Sequence, residues 1–495
     1  IFWLGLAQAR SVTIRTFAYP RLMITGPRAV GASLRSRSWH ACGLCNNVAS
    51  YSTTPVAKGT SRLDYGETLQ TLYGVNERID VVKQELENIS KLDAALGNPC
   101  DDFKVLHVTG TNGKGSVCWK LANALTASGY KTGLFVSPHI SSFRERMRID
   151  GQLISEDEVV EIASELMSTA AANKIPATFF EYVTAMAFVH FSRNNCDAVV
   201  LEVGLGGRLD STNIVKNPLV TVVTNVGIEH KKILGSTVEE IAFEKLSIAK
   251  AGTPMVIGPD VPLEVAKDVC GKASAPLHVC ERVIDSDMQR DFDEENKVCV
   301  RTVLDLLGFD RARTSAALEM RPPCRFEIVD VRPRQTHILD VAHNAHALGK
   351  LFSTLELRLD SLRGDCPVER LNVQVVLALS SDKDLDKCIS EILVHKKVVN
   401  KVYLTQAFSS RAQDSSVLER EFASVGGSQG VPECCVSSSV SLALEQSCVD
   451  AERGDFDKTV TLVCGSVFMM GEAREYLCMS EAVDPEGVVH KGPKL

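Results

Sequence analysis

The sequence predicts an α/β fold, a doubly wound parallel sheet carrying a glycine-rich loop and followed by a smaller α/β domain. Three observations predict it. The run KVLHV (104–108) reads as a buried strand and leads through Gly110, Gly113 and Gly115 into a helical pattern, with Val117, Leu121, Ala124 and Leu125 at helical spacing. DAVVLEVG (197–204) and LVTVVTN (219–225) are unbroken hydrophobic runs, as in parallel strands covered on both faces. A second strand–helix series begins after Met320-Arg321-Pro322-Pro323, where two prolines stop regular structure.

Taken in order, a helix is expected over 62–91, then the strand and loop just described. TGLFV (132–136) is the next strand and leads into SPHISSFRERMRIDG (137–151), which reads as a basic surface loop able to meet an anion. Ser155 with Glu158 three positions on makes a capping box. A buried helix over 179–193, a helix over 237–250 and the strand PMVIG (254–258) complete the first series. Residues 260–320 are less regular, with one clear helix at 296–308 and a loop over 281–295. The second series has strands in THILDVAHN (336–344), VQVVLALS (373–380), KVYLTQ (401–406) and VTLVCGSV (460–467). The polar stretch 409–437 reads as mobile surface, and the tail after 482 as disordered. This places domains at 61–319 and 320–482, flanked by a leader over 1–60 and a tail over 483–495.

The chain has 495 residues, 45% hydrophobic and 23% charged, as expected of a soluble protein of two or three domains. No apolar run reaches the roughly 18 residues of a membrane span. Residues 1–60 hold six Arg, one Lys and no acid, so they carry +7 and leave −15 for the remainder. Such an acid-free, Arg- and Ser-rich start is transit-peptide composition, so the mitochondrial matrix is the expected address and the cytoplasm the second. The start at Ile1 suggests that the true N-terminus lies further upstream. An acidic body argues against a nucleic-acid partner. The sixteen cysteines are scattered, Cys118, Cys196, Cys299 and Cys464 among them in apolar runs, and read as core residues or free thiols. Cys42 and Cys45 form the one CxxC pair and have no second pair for zinc.

Strand, glycines, lysine and helix are what a phosphate-binding loop needs. Backbone N–H groups of Gly110, Thr111, Asn112, Gly113 and Gly115 can curl round phosphate oxygens at a helix N-terminus. Lys114 supplies a point charge, and the Ser116 hydroxyl can reach Mg²⁺. The usual consensus sets Ser or Thr directly after the Lys; here Gly115 intervenes. Glu202, at the end of one hydrophobic strand, and His230, just past another, could converge on one ion. Lys245 lies on a helix with apolar neighbours, and two readings stay open: a snorkelling surface lysine, or one directed into the site. Arg325 and the group Asp340, His343 and Asn344 stand at strand ends of the second domain, where they could close over a nucleotide across a cleft. Read alone, these residues describe a two-domain enzyme using ATP and Mg²⁺, with no acceptor specified.

TGTNGKGS, SPHISSFRERMRIDG, TFFEYVTAMAF, EVGLGGRLDSTN, TNVGIEH, EKLSIAK, CRFE, LDVAHN and CGSVF occur in one order over about 62–482. In this the chain resembles the folylpolyglutamate synthase/dihydrofolate synthase family of the Mur ligase superfamily. The resemblance implies a P-loop ATPase domain with a smaller Mur-ligase-type C-terminal domain, acting as a monomer. The implied reaction is ATP-dependent joining of L-glutamate to a pterin-linked carboxylate through an acyl phosphate. It implies ATP, Mg²⁺ and a monovalent cation such as K⁺ as cofactors. By the same resemblance Ser116, Ser137, Glu202 and His230 match magnesium ligands, and Lys245 matches a carbamylated lysine. Asn296, Arg325 and Asp340 match nucleotide contacts, with His343 beside them, and Glu181 and Leu209, Asp210 and Ser211 match positions near the pterin.

Two departures are expected to matter. Val341 stands where the family has glycine, which predicts lost backbone freedom. The 260–320 stretch looks shortened, which touches Asn296. TFFE and the Arg208–Asp210 pair resemble members that make dihydrofolate from dihydropteroate, often alongside chain extension on tetrahydrofolate. Folylpolyglutamate synthase alone is the runner-up, and a catalytically impaired folate-binding paralogue the third reading.

Overall fold

A computed structural model describes residues 63–75, 85–284, 292–409, 411–426, 432–485 and 488. The leader over 1–60 and the Cys42–Cys45 pair lie outside the described residues. Two sheets carry the fold. The first has eight strands: β1 (Lys104–Thr109), β2 (Thr132–Phe135), β3 (Met147–Ile149), β4 (Gln152–Leu153), β5 (Ala198–Glu202), β6 (Val220–Val223), β7 (Met255–Ile257) and β8 (Leu277–Val279). Their spatial order is β4-β3-β2-β5-β1-β6-β7-β8, parallel from β2 to β8 with an antiparallel β2-β3-β4 edge. The second has β9 (Glu327–Arg332), β10 (Gln335–Leu339), β11 (Leu371–Leu377), β12 (Lys401–Leu404), β13 (Glu433–Val436) and β14 (Lys458–Cys464), in the order β13-β12-β11-β14-β10-β9. Only β9 runs antiparallel there. The doubly wound α/β class is therefore the one the sequence predicts.

Both faces of the first sheet are covered, which explains the unbroken hydrophobic strands. Val105, Val199 and Leu201 pack beneath helices Tyr65–Tyr73, Glu87–Ala95, Glu156–Ala172 and Phe179–Arg193. The alternate residues Leu106, Val108 and Val200 pack against helices Lys114–Ala127, Phe292–Leu306 and Arg311–Glu319. β1 lies at the centre, between β5 and β6, so the loop at its C-terminal end sits where chemistry collects in such sheets.

Several expectations are corrected. The helix over 62–91 is two helices, Tyr65–Tyr73 ending at Gly74 and Glu87–Ala95, with 76–84 outside the described residues. The described parts of 260–320 are regular: they hold helix Leu263–Ala273, strand β8, and two further helices at Phe292–Leu306 and Arg311–Glu319, and of the loop expected over 281–295 residues 285–291 lie outside the described residues. The acids that suggested a loop there, Asp293 to Glu295, form the first turn of a helix, where the positive end of the dipole favours them. Within 409–437 lie helix Ser415–Gly426 and β13; Leu418 and Phe422, four residues apart, are buried beneath the polar run that masked them. SPHISSFRERMRIDG is no basic surface loop. Arg146 and Arg148 are buried, the first donating to His139 Nδ1 and the second held by Glu481, and the segment folds into a 3₁₀ turn and the β3–β4 edge. Residues 483–485 of the tail are described, with Asp484 bonded to Tyr65, Ser142 and Phe143, and most of the remainder lies outside the described residues. Val341 needs no glycine: its φ is not positive, and its side chain packs in the core of the second sheet.

Candidate active site

The loop after β1 is held from behind by the end of β6. Thr111 N–H donates to Asn225 O at 3.0 Å, Asn112 N–H to Asn225 Oδ1 at 2.9 Å, and Thr224 Oγ1 donates to Asn112 O at 2.6 Å. A Cβ on Gly110 would stand 1.9 Å from Thr224 Oγ1, and its φ of 150° is one that side-chain-bearing residues avoid. Gly113, at φ 83°, precedes helix Lys114–Ala127 and abuts Asn296: a Cβ there would lie 2.5 Å from Asn296 Oδ1. Asn296 is thus beside the loop even though its own helix starts just after undescribed residues. Lys114, the first helical residue, donates from Nζ to Gly110 O and Thr111 O at 3.0 and 3.2 Å. Ser116 is half-buried one turn on.

Gly115 faces Glu202, whose Oε2 would be 3.6 Å from a Cβ, an ordinary contact distance, so the buried carboxylate stands beside the helix N-terminus. Glu202 is buried at the end of β5 and accepts from Ser137 N–H at 3.1 Å. Burial raises its pKa, with Lys114 pulling the other way. Gly115, Ser137 and Glu202 line one cavity together with Arg325 and Val341 of the second sheet.

A neighbouring cavity is lined by Gly110, Lys114, Glu229, His230 and Lys245. Lys245 is not a snorkelling lysine: it is 1% exposed and donates to Gly110 O and Glu229 Oε1, both at 2.9 Å. Burial pushes its pKa down to about 8, with Glu229 opposing. Burial works to raise the Glu229 carboxyl, but Lys245 and Lys114 together hold it below the usual range. His230 sits on an exposed turn at φ 45°. It shares this cavity and not the one that holds Glu202 and Ser137, with Lys114 and Gly115 between the two. Among the described residues no group of three or more His, Cys, Asp or Glu stands close enough to hold a metal by itself.

From the second sheet, Arg325 lies between Cys324 and Phe326, both at positive φ (55° and 49°). Asp340 fixes this turn by accepting from Phe326 N–H, and its other oxygen accepts from Ala342 N–H, both at 2.8 Å. Burial raises its pKa while Arg325 opposes. His343 pairs through Nδ1 with Val341 O at 2.8 Å, and burial lowers its pKa to about 4. Across the cleft, Asn112 Nδ2 pairs with His346 Nδ1 at 3.2 Å.

The residues matched to the pterin form a separate patch. Phe180 fills the space over Gly204, where a Cβ would meet its Cζ at 2.4 Å, and Thr184 Oγ1 pairs with Ser211 Oγ at 2.9 Å. Glu181 is buried and closes the capping box of Thr178 at the start of this helix. Asp210 is buried with both oxygens engaged, accepting from Thr212 N–H and Oγ1 and from Leu205 N–H. Arg208 is exposed and bidentate to Glu244, and Leu209 is half-buried beside it. Thr224, Asn225, Glu229 and His346 are site neighbours that the sequence reading did not single out. The first three stand in or beside the TNVGIEH string, where the His alone drew notice.

The Mur ligase middle domain family matches residues 108–262. The "Dihydrofolate synthase/folylpolyglutamate synthase" of Escherichia coli is 31% identical over 416 residues, covering 79% of this chain and 91% of that protein. The chain belongs to the dihydrofolate synthase/folylpolyglutamate synthase family. A "Probable bifunctional folylpolyglutamate synthase/dihydropteroate synthase" of Haloferax volcanii is 33% identical over 83% of this chain, which spans only half of that longer relative. The mitochondrial folylpolyglutamate synthase of Bos taurus is 40% identical over 44% of this chain and 40% of its own length. Among solved structures, Escherichia coli FolC in complex with DHPP and ADP superposes with a TM-score of 0.71 at 27% identity, covering 84% of this chain and 99% of that one. A Yersinia pestis bifunctional member complexed with AMPPNP and Mn ion gives 0.70 at 26%, covering 84% of this chain and all of that one.

Proposed function

We propose that this chain is an ATP-dependent ligase that joins L-glutamate to the carboxylate of dihydropteroate, with glutamate addition to tetrahydrofolates as a second activity. The observation that carries the reading is the pairing of Gly115 with Glu202. It brings a buried carboxylate to a phosphate-type loop. On this reading residues 61–319 form the ATPase domain and 320–482 the smaller domain, with the reaction between them.

A carboxylate is a poor electrophile, so it must first be activated as an acyl phosphate before the amine of glutamate attacks and ADP and phosphate leave. Residues Gly110 to Ser116 cradle the phosphates, and Lys114 neutralises charge on the transferring group. Asn296, Arg325, Asp340 and His343 hold the nucleotide from the far side, fixing its orientation. A divalent ion fits the donor set. Glu202 has accepting capacity beyond its one backbone donor, and hard oxygens with few carboxylates suit Mg²⁺, which keeps waters and takes phosphate oxygens. Ser116, Ser137 and Glu202 would hold it, where it would neutralise phosphate charge, while His230 faces the neighbouring cavity beside Lys114. Lys245, lowered to about 8, has an unprotonated fraction near neutral pH from which a carbamate can form. A monovalent cation such as K⁺ joins the cofactors, and the monomer is the expected working state. The acid-free leader supports a mitochondrial address.

Dihydropteroate as acceptor rests on the resemblance of TFFE and the Arg208–Asp210 pair, two stretches that meet where Phe180 packs over Gly204. The test gives the purified protein ATP, Mg²⁺ and labelled glutamate with dihydropteroate or tetrahydrofolate as separate acceptors. Labelled product and ADP are expected with dihydropteroate. Product with tetrahydrofolate alone would favour a dedicated folylpolyglutamate synthase, and product with neither would favour a non-catalytic folate binder.

A further inference from the structure

Beyond the second sheet's last helix, Val467–Tyr476, the chain crosses back to the first sheet. Ser480 Oγ pairs with Ser141 Oγ at 3.3 Å, and Glu481 takes both terminal nitrogens of buried Arg148 at 3.2 and 2.8 Å. Asp484 then uses every part of its carboxylate: Oδ1 accepts from Tyr65 OH and Ser142 Oγ, both at 2.8 Å, and Oδ2 accepts from Phe143 N–H at 2.9 Å. All of these partners but Tyr65 fall within the segment 141–148.

That segment needs outside support. Its 3₁₀ turn, Phe143–Arg146, is four residues long and too short to be stable by itself. Glu145 folds back to cap Ile140, Ser141 and Ser142 N–H, and Asp484 supplies the acceptor for Phe143 N–H, an orphan donor of the first turn. The turn ends in Arg146. Arg146 is 3% exposed, donates from Nε to His139 Nδ1 at 2.9 Å, lies over the rings of Phe143 and Phe179, and makes no ion pair among the described residues. It lines a cavity with Tyr73, His139, Phe408, Phe468 and Asp484 itself. Burial weighs against its charge, and Glu145, Glu202 and Asp484 offset this only from a distance, so a carboxylate entering the cavity would match its two remaining N–H edges.

We infer that Ser480–Asp484 is a strap that sets the Arg146 guanidinium for a substrate carboxylate, with Asp484 as a positioning residue of the ligase site. The inference builds on the proposed function, since both glutamate and the pterin acceptor carry a carboxylate. It adds a role for residues outside every motif of the family resemblance. Asp484 touches no substrate and works by holding the turn from which Arg146 projects. The strap also ties the helix layer of the second sheet to the edge of the first, so the cavity keeps its width.

The test uses the full chain with Asp484→Asn, and with Glu481→Gln as the milder variant should the first fail to fold. Two measurements are made. Hydrogen exchange at the amides of residues 143–146 should quicken at least tenfold in Asp484→Asn, and unchanged protection there overturns the strap whether or not the protein turns over. Steady-state kinetics should show KM for glutamate or for the pterin acceptor rising about tenfold, with KM for ATP within twofold and kcat within threefold. The two carboxylate substrates, varied separately, reveal which one Arg146 meets. A purely structural strap would instead lower apparent kcat in proportion to lost folded protein with every KM unchanged, and that outcome also sinks the inference. A wild-type protein that ligates nothing but shows the exchange effect would count against the proposed function and not against the strap.

Discussion

His107, in the middle of β1, shows how one side chain can set an acid limit. It is fully buried, and its Nε2 is 2.8 Å from Thr212 Oγ1, which itself donates to Asp210 at 2.6 Å. The hydroxyl proton is therefore committed, so Nε2 must be the donor and Nδ1 the lone pair, buried without a partner. Burial lowers the pKa to about 3, against 6.5 for an ordinary imidazole. The unfolded chain thus takes up a proton below about pH 6.5 that the folded chain refuses until about pH 3, and stability falls with pH across that window. His107→Gln, which keeps a donor to Thr212, should remove this slope. Between pH 6 and 4 the wild type should lose about 2 kcal/mol more than the variant in denaturant titrations. Parallel curves would place the acid sensitivity elsewhere. The same residue bears on legibility. The sequence displayed His107 only as one letter in a hydrophobic strand, because its partner lies 105 residues away and no local spacing encodes that contact. Gly115 is the opposite case, conspicuous in sequence, whereas the buried Glu202 that it faces is seen only in the fold.

Among the elements, the helix of the phosphate loop is bound to its neighbours by a buried lysine. Lys120 is fully buried, donates to Leu318 O and Met320 O, and stands 3.4 Å from Asp293. Those carbonyls end helix Arg311–Glu319, and Asp293 opens the helix that carries Asn296. One ammonium group therefore joins three elements and the root of the link to the second sheet. Lys120→Met fills the volume but leaves two carbonyls without their donor and Asp293 without one cation, a loss of about 2–3 kcal/mol. Chemical denaturation should register that drop, and a change under 0.5 kcal/mol would mean that water or Lys297 takes over. The elements most legible in sequence were those with a simple period, such as β1, β5, β6 and helix Phe179–Arg193. Those misread were amphipathic pieces within polar or acidic composition. Helix Ser415–Gly426 buries just Leu418, Phe422 and Gly426, and the Phe292–Leu306 helix opens on three acids. Arg146 and Arg148 misled for a related reason, since charge in sequence suggests exposure until the partners that bury it are seen.

At the scale of the whole molecule, the two sheets share no strand pairing among the described residues and are joined by the link at 320–326, the strap and the cleft. The proposed nucleotide contacts are divided between them: Gly110–Ser116 and Asn296 on one side, Arg325, Asp340 and His343 on the other. A ligand that touches both stabilises the assembly by RT ln(1 + [L]/Kd), about 2.7 kcal/mol at a hundredfold excess over Kd. Nucleotide with Mg²⁺ should therefore move one calorimetric transition upward as a unit. Nucleotide with a chelator should give a clearly smaller shift, because the phosphates at Glu202 then meet a buried carboxylate with no cation between them. The division of contacts also predicts how variants behave. Arg325→Ala should shrink the shift by more than it lowers the unliganded midpoint, as its side chain is exposed in the cleft and supports the buried Asp340 carboxylate. Two separate transitions, of which ligand moves only the one belonging to the first sheet, would mean that nucleotide is held by the loop alone. The cleft reading of residues 325–343 would then be wrong.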